Sequence, residues 1–164
     1  MTIDIQVIDQ VLATAMQARQ RGDAAAERQI LDDALAQYST DPRLHNARGM
    51  RALADGDSGQ AQASFAAAAA ADPKEPALWL NLATACRAAG DDEGERRALQ
   101  SALDIDRRHF IALLRIAELH ERLGEEAEAA QRWSNIVQMA SARIPRALCS
   151  RGSVEYCARA SSRI

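Results

Sequence analysis

"PALWLNLATACRAAGDD" occupies Pro76–Asp92. Trp79, Leu82, Ala83 and Cys86 fall at i, i+3, i+4 and i+7, a single apolar stripe along an α-helix. Gly90 can adopt the left-handed conformation that ends such a helix. Asp91, Asp92 and Glu93 follow it, where the macrodipole at the start of a second helix favours negative charge. Ala98, Leu99, Ala102 and Leu103 then supply a second stripe. The stretch reads as helix, turn and helix start, and neither stripe is buried without a neighbour.

The same pattern recurs along the chain. Gly22, Gly56, Gly90 and Gly124 stand 34 residues apart, and each is followed by an acid: Asp23, Asp57, Asp91 and Glu125. Nine residues after each glycine sits a large apolar residue, Leu31, Phe65, Leu99 or Trp133. Three further on come Ala34, Ala68, Ala102 and Ile136. Seven before each glycine lies a small residue, Ala15, Gly49, Ala83 or Ala117. Five columns in register over four periods define a repeat.

A 34-residue unit with these columns resembles the tetratricopeptide repeat, a helix–turn–helix module. In the third copy Trp79, Leu82 and Ala83 match the family's W-x-x-L-G, and Cys86 takes the usual Tyr position. The resemblance implies an all-α, right-handed solenoid of four units at 8–41, 42–75, 76–109 and 110–143 within a domain spanning 1–143. Departures are Glu27 and Glu95 at the small residue opening the second helix, where Ala61 and Ala129 conform, and Arg48 at an apolar position. The run Ala66–Ala71 fits a helix packed closely on its neighbours.

Composition agrees. Hydrophobic residues are 48% of the 164, but aromatics only 4%, so the apolar content is largely Ala and Leu, which favours helix. The net charge of −3 gives no electrostatic reason to expect nucleic acid or an anionic membrane as partner. Lys74 is the only lysine, and heavy Arg and Ala usage points to a GC-rich bacterial genome. No stretch suits a signal peptide or a membrane span, and three cysteines form no disulfide framework, so a cytoplasmic location is expected. Residues 144–164, Arg- and Ser-rich with four Arg against one Glu, break the pattern. They read as a partly disordered tail, or as the place where a longer protein was truncated or lost its frame.

No constellation promises catalysis. Cys86 lies in the packing stripe, and Cys149 and Cys157 have no zinc spacing. His45, His109 and His120 share no carboxylate in a metal-binding pattern, and no nucleotide or hydrolase fingerprint is present. No enzyme, metal or cofactor is expected. What remains is the concave face that the first helices line in tetratricopeptide arrays. By resemblance, its columns include Leu12, Met16, Arg19, Asn46, Met50, Leu53, Leu80, Asn81, Thr84, Arg87, Leu114, Arg115, Glu118 and Arg122. Arg87, Arg115 and Arg122 offer forked donors to a carboxylate-bearing peptide or partner protein. Of the five-residue clamp that holds acidic chaperone tails, only Asn81 and Arg115 match, with Asn46, Met50 and Ile111 in the other places. That argues against chaperone-tail binding.

Leu78–Glu125 also resembles the N-terminal repeat region of bacterial aspartyl/asparaginyl β-hydroxylase-like proteins. That resemblance implies a recognition arm without its Fe(II)/2-oxoglutarate domain, since nothing in the chain supplies the two-His, one-carboxylate site. A third reading is self-association as a homodimer through the end of copy four, at Leu114, Trp133, Ile136 and Val137.

Overall fold

The computed structural model describes residues 5–142. It contains eight helices: α1 (Ile5–Gln20), α2 (Ala24–Gln37), α3 (Pro42–Ala54), α4 (Ser58–Ala71), α5 (Pro76–Ala89), α6 (Asp92–Ile105), α7 (Phe110–Arg122) and α8 (Glu126–Ala142). There is no strand among the described residues. Consecutive helices pair as four antiparallel hairpins, and each hairpin stacks on the next through its second helix. The fold is the all-α solenoid that the period predicts. The tail at 144–164, with Cys149 and Cys157, lies outside the described residues.

The glycine–acid motif has a double physical basis. Gly22, Gly56, Gly90 and Gly124 take φ of 74°, 79°, 74° and 72°, the left-handed region that other residues enter only at a cost. The acid that follows caps the second helix: Asp23, Asp57 and Asp91 accept from the backbone N–H of Ala26, Gln60 and Gly94 at 3.0, 2.9 and 2.8 Å. Dipole complementarity alone understates this, because a side-chain N-cap satisfies a backbone donor outright. Glu125, the fourth acid, turns elsewhere, accepting from Arg96 at 2.8 Å and pairing with Nδ1 of His120. First helices begin on Asp41, Glu75 and His109 caps, with Pro42 and Pro76 in the first turn, where a missing N–H costs nothing.

The small column and the large column meet. A Cβ built on Gly49 would lie 2.7 Å from the ring of Phe65, which is fully buried. Only glycine fits beneath that ring. In copies one and three the equivalent pairs, Ala15 with Leu31 and Ala83 with Leu99, share hydrophobic clusters with the first helix of the next repeat. Burial of these columns is what joins repeat to repeat, because no hairpin covers both of its stripes alone.

Candidate functional site

The first helices α1, α3, α5 and α7 lie side by side, and polar side chains bridge them. Arg43 on α3 donates to Asp9 on α1 at 2.7 Å. Asn81 Nδ2 on α5 donates to Asn46 Oδ1 on α3 at 2.7 Å. Arg115 Nη1 on α7 donates to the carbonyl of Leu80 at 3.0 Å and to the hydroxyl of Thr84 at 2.8 Å. Arg87 on α5 meets Glu118 on α7 at 3.5 Å, with both side chains near half exposed. These contacts form a continuous face of amides, hydroxyl and guanidinium, interrupted by exposed Met16 and Met50.

Of the fourteen groove-column residues, nine are the main contact candidates (Asn46, Met50, Leu80, Asn81, Thr84, Arg87, Arg115, Glu118 and Arg122), and they separate into groups. Asn46 and Asn81 come together as a half-buried amide pair. Leu80 packs against the core cluster of the last two repeats, with its carbonyl held by Arg115, while Thr84 donates back to that same carbonyl at 2.9 Å. Met50 is exposed. Arg87 and Glu118 form an open charged pair, 48% and 40% exposed, as do Arg43 and Asp9, 42% and 61% exposed.

Arg115 and Arg122 are differently placed from the expectation of forked donors free for a ligand. Both converge on Glu95, which is fully buried. Arg122 Nη2 donates to Glu95 at 2.6 Å and to Asp92 at 2.6 Å, which holds its guanidinium above its ordinary pKa. Arg115 Nη2 lies 3.6 Å from Glu95, and burial pulls its pKa down, with Glu95 opposing. Glu95 therefore satisfies charge that the sequence reading assigned to a partner.

Glu27 does the same in the first copy. It is 2% exposed and takes Arg19 Nε at 2.9 Å and Arg51 Nη1 at 3.1 Å. The hydrogen bonds that Arg51 donates to Asp55 and Glu27 hold its guanidinium above its ordinary pKa. Glu27 and Glu95 are 68 residues apart, so the two departures from the small-residue column occupy one register, two repeats apart. The sequence contained the signal, an acid in a column of Ala. It lacked the partners, which sit eight to twenty-seven residues away in other helices.

Cys86 is 4% exposed at the floor of a cavity of about 570 Å³ bounded by α4 and α6, with Trp79 and Leu82. Burial pushes its thiol pKa up. It is a packing residue, since a reactive thiol needs the opposite shift. Among the described residues no group of three or more His, Cys, Asp or Glu side chains is placed to hold a metal ion. No helix there is long and apolar enough to cross a membrane.

No family model matches the chain, and no curated protein matches it. Solved structures do. MamA from Desulfovibrio magneticus RS-1 superposes with a TM-score of 0.72 at 16% identity, over 82% of this chain and 76% of that one. A tetratricopeptide repeat protein from Parabacteroides merdae gives 0.75 at 18%, over 85% of this chain and 56% of that one. A mutant O-GlcNAc transferase from Thermobaculum terrenum gives 0.61 at 23%, over 73% of this chain but only 23% of the enzyme. At these identities the likeness is one of fold: this chain has the architecture of tetratricopeptide solenoids.

Proposed function

We propose that the face built by α1, α3, α5 and α7 is a non-catalytic binding surface for a peptide or partner protein carrying carboxylates. The observation that carries this is a segregation of charge. The four first helices hold seven arginines against three carboxylates, whereas the four second helices hold four arginines against nine. Five of the seven, Arg19, Arg48, Arg51, Arg115 and Arg122, pair with second-helix carboxylates, so attraction of an acidic ligand to this face rests on Arg43 and Arg87, whose partners Asp9 and Glu118 lie on the face itself. Met16 and Met50 supply adaptable apolar contact beside the polar groups. A recognition arm related to hydroxylase-like proteins is a narrower form of this reading, and rests on the resemblance of Leu78–Glu125.

Arg87 is the arginine of this face to test first, because among the described residues it is held only by a half-exposed Glu118 at 3.5 Å, whereas Arg115 and Arg122 are held by Glu95. A peptide array probed with wild type and with Arg87→Ala is the experiment. Selective loss of acidic peptides in the variant supports the proposal. An unchanged array removes Arg87 from the site.

A further inference from the structure

Successive second helices leave a groove between them, floored by the first helix they flank. Between α2 and α4 it encloses about 200 Å³, and its arginines are paired: Arg28 with Asp55, Arg48 with Asp32 and Arg51 with Glu27. Between α4 and α6 it is the cavity already described around Cys86, walled largely by alanines and Trp79. Between α6 and α8 it encloses about 430 Å³, and its lining changes character. Arg132 lines it from α8, and Arg107 from the turn between α6 and α7. Arg132 stands one, two and three periods after Ala98, Ser64 and Ile30. The first two are 2% and 4% exposed and Ile30 packs on the first-copy cluster, so a cation occupies a column that elsewhere belongs to the packing.

Glu27 and Glu95 also break a packing column, and each is met by two arginines. Arg132 is met by no carboxylate. Neither its guanidinium nor that of Arg107 forms an ion pair or hydrogen bond among the described residues. Asp104, the one carboxylate among the described residues that line the cavity, instead accepts from Gln100 Nε2 at 2.8 Å. Asn135 Oδ1 accepts from Gln131 at 3.2 Å, so Nδ2 is the group Asn135 has to offer a ligand. Leu103, Leu113 and Met139 supply an apolar wall. Two forked guanidiniums and an amide donor beside such a wall suit a doubly charged head with three oxygens on a small apolar body. The volume falls in the range of small-molecule sites, roughly 300–1,000 Å³. We propose that this cavity binds a small phosphate monoester, with its phosphate on Arg132 and Arg107 and its organic group against Leu113 and Met139. The site shares no residue with the first-helix face, and the two proposals stand or fall separately.

Isothermal titration calorimetry of the full chain at low salt, with phenyl phosphate as the probe, tests it. Saturable one-to-one binding is expected. It should be at least about tenfold tighter than that of benzoate, which lacks the third oxygen and second charge, or of inorganic phosphate, which lacks the apolar body. Arg132→Ala places in this column the residue that Ala98 already sets there, so it should fold, as circular dichroism checks. It should weaken phenyl phosphate at least about tenfold, the effect of losing one charge-assisted pair, and Arg107→Gln should do the same. Arg97→Ala, which removes an exposed arginine from the neighbouring groove, should leave the affinity unchanged. Absence of saturable heat with phenyl phosphate overturns the proposal, as does affinity that survives Arg132→Ala and Arg107→Gln. An equal loss in Arg97→Ala also overturns it, by showing general attraction to charge in place of a site. Equal affinity for benzoate overturns the assignment to phosphate.

Discussion

Replacing Glu95 by Ala tests whether the buried carboxylate organises the last two repeats. The column itself accepts Ala, since Ala61 and Ala129 occupy it at 0% and 4% exposure. The cost therefore comes from the arginines left behind. Removing one partner of a fully buried pair costs about 3–5 kcal/mol, and an exposed pair contributes about 0–1. Glu95 lies between these limits. Its own oxygens are buried, but the Arg122 side chain is 35% exposed and keeps Asp92 at 2.6 Å. Arg115 keeps Leu80 and Thr84. A loss of about 2 kcal/mol is expected, which lowers the melting temperature by roughly 4–8 °C for a domain of this size. Thermal melts by circular dichroism measure it. In a double-mutant cycle with Arg122→Ala, the two losses should fall short of additive by about 1 kcal/mol. A melting temperature unchanged in Glu95→Ala, or strictly additive losses, would refute the reasoning.

Other substitutions probe the repeat and its core. Gly49→Ala should destabilise by about 1–2 kcal/mol despite better helix propensity, because overpacking against Phe65 outweighs that gain; chemical denaturation reads this, and adding Phe65→Leu, the Ala–Leu pairing of copies one and three, should restore stability. Gly90→Ala meets nothing within 4 Å, so its expected cost of about 1 kcal/mol is purely that of a left-handed backbone, and a neutral result would contradict the turn. The peptide containing Cys86 should be alkylated at least about tenfold more slowly in the folded chain than in denaturant, as followed by mass spectrometry; equal rates would show an accessible thiol.

The repeat and its turns were legible because their determinants are local. A left-handed glycine, the acid that caps the next helix and an apolar stripe all act within one hairpin. The period then multiplied each signal by four. The fate of the arginines was not legible, because Arg19, Arg51, Arg115 and Arg122 choose their partners across helices. Glu27 and Glu95 looked like faults in a family column. They are buried acceptors whose role appears only once neighbouring helices are stacked. His109 and His120 likewise read as isolated histidines, yet one caps α7 and the other pairs with Glu125 at the last turn. Gly49 was recognisable as a small residue, but the ring of Phe65 that requires glycine there was not.

The central claim is that a positively biased first-helix face selects carboxylates. It is tested most directly by fluorescence anisotropy with two labelled peptides of one sequence, one rich in Asp and Glu and the other with each acid replaced by its amide. The account predicts that the acidic peptide binds at least about tenfold more tightly, the effect of one charge-assisted hydrogen bond, and that salt erodes the difference. It also predicts that Arg87→Ala removes most of the preference. Equal affinity for the two peptides, insensitive to salt and to Arg87, would contradict it.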